Sequence, residues 1–477
     1  MKNGSPRTLV VAGAGGPSTS RTKDSETTGT SAGPTLRLLL PSGCEVGWYG
    51  SIIERLGRMT GLKEAEPRRL DRHPKPSREG RSEGVTAGRK KGGRESMESQ
   101  ARGVAVRGLE DVIAAETRIG YVDGINGKLY YAGYEINDLA KHPSYEECVF
   151  LLWNDRLPTK RELEEFRAEL IPEMNLPRPL IQWFKRVPRG VHPMVMLRSA
   201  VSDLALYDKE TEDNSVEANR RKAVRLVAKV PSIIAGFHRI YNGESLIPPD
   251  PKKSLAVNFL RMFTGKDPDK RSSEAIELMF VLHADHGFNA STFAARVTAS
   301  TLADIYAAVT AAIGALKGPL HGGANQRVME MLEGIGSADD VEEYINGLLA
   351  RRERIMGFGH RVYKVEDPRA RHLRKYSEDL CGGDASCHRY YAISRRIEQQ
   401  VKEAKGIYPN VDFYSATVQH ALGIPVEYYT TVFAASRIAG WTAHVMEQHA
   451  DNRLMRPRSL FVGKLPRKYV PIEKRRK

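Results

Sequence analysis

Cysteine and long apolar runs are scarce in this 477-residue chain, and acidic residues fall short of basic ones. Lysine and arginine outnumber aspartate and glutamate by 73 to 58, a formal net charge of +15. The surplus sits at the ends. About eight of the excess positive charges fall in residues 1–96 and about six in 464–477, which leaves the middle close to balance. Basicity confined to tails gives weak attraction to any anion. A specific nucleic-acid partner would need basic patches interleaved with aromatics in the ordered body, and these are missing. No run approaches the ~20 apolar residues of a membrane-spanning helix, so no membrane partner is expected. The LVVAGAG patch near the start is too short and too polar-flanked for a signal peptide. The four cysteines, Cys44, Cys148, Cys381 and Cys387, form no CxxC pair and no metal-ligand spacing, so no metal is expected. Cys381 and Cys387 stand close enough for a local bridge, but free thiols in a reducing cytoplasm are the expectation.

Periodic hydrophobicity is also missing from residues 1–96. Stretches such as PRRLDRHPKPSREGRSEG bury too little apolar surface to offset ordering entropy, so this basic extension is expected to be disordered. Its acidic residues Asp24, Glu26, Glu45, Glu54 and Glu64 argue against a transit peptide, and Met97 is expected to be the natural start. Between 108 and 139, ETRIGYVDGINGKLYYAGYEI carries Asp-Gly and Asn-Gly turns and predicts a small hairpin. Helical spacing then dominates, over 145–153, 160–170, 191–207, 219–240, 254–263, 274–283 and the Ala-rich 301–316. The class is all-α with one small β ornament. Residues 318–419 differ in texture, with more glycine, more charge and three His-bearing turns. They predict a small domain (317–419) closing over a cleft on a large helical domain built from 97–316 and 420–463, followed by a basic tail (464–477).

The chemistry concentrates in IMGFGHRVYKVEDPRARHLRKY, residues 355–376. Gly357 and Gly359 permit close approach of a ligand to the main chain, and His360 is presented between them and Arg361. Pro368 suits a first helical turn with Asp367 as its N-cap. In GPLHGGANQ, His321 precedes a helix predicted to run from Ala324 and stop at Gly334. The positive helix end disfavours imidazolium, so a neutral His321 could donate to a developing enolate oxygen, or could simply cap the helix. In HADHGFNAS, His283 and His286 share a helical face but lack a third metal ligand. His286, beside the Gly287 break, suits hydrogen bonding to a carboxylate. In NVDFYS, Asp412 is either an N-cap or a partly desolvated general base. Arg369, Arg437 and Arg456 could clamp a dicarboxylate.

GPLHGGANQ, GFGHRVYKVEDPRA, NVDFYS and SRIAGW, in this order and together with HPMVMLRSAVS and HADHGFNAS, resemble the citrate synthase family over about 109–462. The resemblance implies a nearly all-helical two-domain fold with a mobile small domain. It implies condensation of acetyl-CoA, as co-substrate, with oxaloacetate, and then thioester hydrolysis to citrate. It implies His321 on the thioester carbonyl, Asp412 taking the methyl proton and His360 on the ketone. His286, Arg369, Arg437 and Arg456 would hold the carboxylates, with Arg456 donated across a homodimer. Met356, Gly357, Phe358 and Gly359 would cup the CoA adenine, and Lys364 would meet a CoA phosphate. No permanently bound cofactor is implied. 2-Methylcitrate synthase, using propionyl-CoA, shares the same machinery.

Overall fold

The structure, a computed structural model, describes residues 8–11, 36–39, 106–109, 112–383 and 385–475. Most of the basic extension and Met97 lie outside these described residues. The chain divides into two compact units, 1–100 and 101–477. In the first, β1 (Thr8–Val11) pairs antiparallel with β2 (Leu36–Leu39).

The second unit opens with β3 (Gly120–Asp123), β4 (Lys128–Tyr131) and β5 (Tyr134–Glu135), an antiparallel sheet in that order. The predicted hairpin thus gains a third strand. Its turn is Ala132–Gly133, where both residues take positive φ, 42° and 83°. In the β3–β4 turn, Asp123 Oδ1 accepts the N–H groups of Ile125 (3.1 Å) and Asn126 (2.9 Å).

The helices follow: α1 (Ile136–Leu139), α2 (Tyr145–Asn154), α3 (Lys160–Glu173), α4 (Arg178–Phe184), α5 (Pro193–Leu204), α6 (Val216–Tyr241), α7 (Leu255–Thr264) and α8 (Lys270–His283). Then come α9 (Ala290–Ala299), α10 (Ile305–Leu316), α11 (Ala324–Ile335), α12 (Val341–Ala350), α13 (Pro368–Cys381), α14 (Ala385–Lys405), α15 (Val411–Ala421) and α16 (Tyr429–Ala450). Side-chain caps set many of the starts. Thr159 and Glu162 form a reciprocal capping box on α3, and Asp269 and Asp304 cap α8 and α10. These two caps explain why α8 begins before the predicted Glu274 and α10 after the predicted Thr301. Helix α11 passes the predicted stop at Gly334 and ends at Gly336 (φ +80°), because Ile335 is still buried against the core.

Helix α16 is the axis of the core. It is buried without a break from Tyr429 to Val445, with Trp441 fully enclosed. Each such large apolar side chain contributes about 1.5–3 kcal/mol. Helices α11 to α15 pack largely on one another, around α15. The expectation of free thiols fails at one pair: Cys381 and Cys387 are joined by a disulfide. The short turn between α13 and α14 brings their Cα atoms to 4.8 Å, inside bridging range. Cys148 is free and buried. Among the described residues, no helix is long and apolar enough to cross a membrane.

Candidate active site

The 356–363 loop is held from one side by the start of α15. Gly359 N–H donates to the Tyr408 carbonyl (3.1 Å), Asn410 N–H to the Gly357 carbonyl (2.8 Å) and Asn410 Nδ2 to the Gly359 carbonyl (3.0 Å). Gly357 has φ +77°, and a Cβ there would lie 2.8 Å from Phe413 and Val328, so no other residue fits. Phe358 packs edge-on against Phe413. His360 Nδ1 accepts the N–H groups of Val362 (3.0 Å) and Tyr363 (3.1 Å), which places the ring proton on Nε2. Burial, then the charge of Arg369, depresses its pKa to about 4. Met356 is half-buried beside this loop, and the Lys364 side chain is exposed at its edge.

Asp367 caps α13 with Pro368 in the first turn, as predicted. It also holds Arg369 through both carboxylate oxygens, Nε–Oδ1 3.0 Å and Nη2–Oδ2 2.7 Å, with both side chains buried. Burial pushes the Asp367 carboxyl up, but the Arg369 charge and hydrogen bonds outweigh it and hold it below its ordinary value. Arg369 is therefore a preorganised cation with an internal partner, a pairing the sequence reading did not include.

His286 follows α8. Its Nε2 lies 3.2 Å from the Tyr363 hydroxyl, and its ring centroid is 5.1 Å from that of His360. Burial, then the charges of Arg369, His360, Arg437 and His321, drive its pKa well down. Next to it, Asp285 accepts Gly287 N–H (2.9 Å) and contacts His444 Nε2 (3.2 Å). Helix α16 approaches this backbone closely at Gly440, whose N–H donates to the Ala284 carbonyl (3.0 Å). A Cβ on Gly440 would meet that carbonyl oxygen at 2.5 Å.

His321 lies in the loop before α11. Ser291 N–H donates to its Nε2 (3.3 Å), which leaves the ring proton on Nδ1. Ser291 Oγ also lies 2.9 Å from Nε2 and accepts from Trp441 Nε1 (3.1 Å). His321 is held neutral as expected: burial, then the charge of Arg437, lowers its pKa to about 4.

Asn410, not Asp412, caps α15. Its side chain accepts Asp412 N–H (3.0 Å), so the capping alternative for Asp412 falls. The Asp412 side chain is thus free of the capping role, and its buried Oδ1 has no hydrogen-bond partner among the described residues. Burial pushes its carboxyl up to about 7, with Arg369 and Arg437 pulling the other way. Arg437 is buried, donates Nε to the His283 carbonyl (2.6 Å) and stacks over Phe433. It makes no ion pair among the described residues, and burial lowers its pKa to about 10.

The structure thus gathers His286, His321, His360 and Asp412 around Arg369 and Arg437, each of the four within electrostatic reach of at least one of these arginines. It does not bring Arg456 there, since that side chain is exposed on the extended segment after α16. Among the described residues, no cluster of His, Cys, Asp or Glu is arranged to hold a metal. Asp285, Ser291 and Tyr363 were missed as site residues. Asp285 had a signal, lying between the paired histidines of HADHG. Ser291 had none.

The family described as "Citrate synthase, C-terminal domain" matches residues 108–458. The chain belongs to the citrate synthase family. As a citrate synthase it is an acyltransferase, and its relatives span nearly their full length on it. "Citrate synthase 2" of Bacillus subtilis is 48% identical over 372 residues, which is 78% of this chain and 99% of that protein. A "Citrate/2-methylcitrate synthase" of the same organism is 42% identical over 357 residues, covering 75% and 96%. Citrate synthase of Thermoplasma acidophilum, solved as a ternary complex with carboxymethyl coenzyme A and oxaloacetate, superimposes with a TM-score of 0.74. That match has 35% identity and covers 77% of this chain and 98% of that one.

Proposed function

We propose that the six gathered residues condense acetyl-CoA with oxaloacetate, and that Asp412 is the base. The observation carrying this reading is the Asp412 carboxyl, whose buried Oδ1 has no hydrogen-bond partner among the described residues and which burial pushes up to about 7, within electrostatic reach of Arg369 and Arg437, the same arginines that act on the neutral His321 and His360. A thioester methyl is a very weak acid. Asp412 can remove its proton only if the forming enolate is stabilised, and His321 Nδ1–H is the donor for that oxygen. The enol carbon then attacks the ketone carbon of oxaloacetate, and His360 Nε2–H supplies the proton to the ketone oxygen. Water cleaves the citryl thioester to citrate and CoA. His286, Arg369 and Arg437 hold the carboxylates. Met356–Gly359 cups the CoA adenine and Lys364 meets a phosphate.

In the same reading the small domain, 317–419, closes on the large one and excludes water until condensation is complete. A homodimer supplies Arg456 to the partner's site. The exposed segment that carries Arg456 also exposes Leu454, Phe461, Val462 and Tyr469, apolar side chains suited to a second copy. The proposed setting is the cytoplasm.

The relative named for both citrate and 2-methylcitrate supports a second reading, with propionyl-CoA as the acyl donor. One methylene is worth only about 1–3 kcal/mol in a pocket, so side-by-side turnover decides. The expected outcome is a kcat/KM at least about tenfold higher for acetyl-CoA. A preference for propionyl-CoA overturns the first reading, and turnover of neither thioester overturns both.

A further inference from the structure

The small sheet touches both segments that carry the ketone-side histidines. At one end, the Tyr131 hydroxyl donates to the Asp285 carbonyl (2.9 Å) and accepts Asp285 N–H (3.2 Å), one residue before His286. Gly120 lies against the same residue, where an added Cβ would sit 2.4 Å from Asp285 Oδ2. At the other end, the β3–β4 turn rests on the chain just after His360. The Gly124 carbonyl accepts Lys364 N–H (2.8 Å). A Cβ on Gly124 would lie 2.2 Å from the Val362 carbonyl oxygen and 2.7 Å from its carbon. Both are backbone atoms that cannot swing aside.

Val362 is not a passive neighbour. Its N–H and that of Tyr363 are the two donors that fix the His360 ring. Tyr363 in turn places its hydroxyl 3.2 Å from His286 Nε2, and its ring lies beside both imidazoles. The turn itself is held by Asp123. The three-stranded piece therefore spans the two histidine segments and hydrogen-bonds to the backbone of each.

We propose that the β3–β5 sheet sets the spacing and orientation of His286 and His360, with Gly124 as the positioning residue on the His360 side. This rests on the proposed role of His360 at the ketone. The sheet has no contact with substrate in this scheme and acts only through the 285–286 and 360–364 backbone.

The test is Gly124→Ala in the full-length protein. Three results are expected: kcat down by about tenfold or more, KM for acetyl-CoA within about twofold, and a thermal midpoint lowered by the backbone clash but with a single cooperative transition. The carbon-13 signal of the ketone carbon of bound oxaloacetate should move toward its free position. Amide exchange over 360–366 should quicken. Ile125→Ala, which alters an exposed side chain in the same turn, should change none of these. Wild-type kcat, ketone signal and exchange in Gly124→Ala would overturn the proposal, as would a lost kcat with ketone signal and exchange unmoved. His360→Asn separates the underlying reading. If it leaves the ketone signal at the wild-type position, the role of His360 fails, and exchange over 360–366 in Gly124→Ala still decides whether the sheet positions that loop. Should Gly124→Ala not fold, Tyr131→Phe tests the other end. Faster exchange over 285–287 with a reduced kcat supports the proposal, and unchanged values overturn it.

Discussion

Helix α16 passes two buried polar clusters that are built in opposite ways. Near its C-terminal end, every charged group has a partner. Arg296 reaches Gln448, His444 and Glu447, and His444 reaches Asp285. About two turns earlier, among the described residues, Arg437 has a carbonyl and a ring but no carboxylate in contact, and Asp412 Oδ1 has no hydrogen-bond partner. Burial is similar in both places, so burial does not distinguish scaffold from site. Completion does. An uncompensated buried charge costs several kcal/mol, and it persists where a ligand supplies the missing partner.

The largest effect expected of this contrast is at Asp412. Asp412→Ala should bind oxaloacetate within a few-fold of wild type, by calorimetry, yet lose about 10²–10⁴-fold in kcat, the usual loss for a missing general base. Near-normal turnover would make Asp412 one more buried carboxyl and erase the distinction.

The next test compares the clusters by stability. Asp285→Ala leaves His444 Nε2 and the Gly287 N–H unpartnered, and stranding buried donors this way costs about 1–3 kcal/mol each. Arg437→Ala removes a cation that has no carboxylate to abandon. In ligand-free protein it should cost clearly less in denaturant midpoint, while weakening oxaloacetate binding. Equal destabilisation by both changes would show that Arg437 is scaffold.

Much of this arrangement was legible in the chain because the signals are local. Asp367-Pro368 marks a helix start, Gly357 and Gly359 mark a loop of positive φ that at Gly357 has no room for a Cβ, and the apolar spacing marks the helices. The completed cluster was not legible. Asp285 and His444 are 159 residues apart and meet only because Gly440 lets α16 lie against the 284–285 backbone. The same holds for Ser291 against His321, 30 residues apart. The stop of α11 was misplaced because packing of Ile335 outweighs the helix-breaking tendency of Gly334. The thiol expectation rested on compartment and could not include the turn that brings Cys381 to Cys387. Arg369 was read for its ligand alone, although its carboxylate partner stands two residues away.

The smallest expected effect, and the sharpest, is in pH. Asp412 titrates near 7 in the folded chain against an ordinary 3.8. Between those values the folded protein keeps a proton that the unfolded chain has released. The stability from this group is therefore full below about pH 4, is lost as pH rises toward 7, and is level above. Asp412→Asn cannot ionise, so its stability relative to wild type should be greater at pH 8 than at pH 5. Activity runs the other way, because the base must be charged. Wild-type kcat/KM should fall by about tenfold per pH unit below 7 and level off above it. His321 and His360, both near 4, add no inflection in that window. A profile level down to pH 5.5, or an Asn variant whose stability tracks wild type at both pH values, would show that Asp412 is completed by a partner after all.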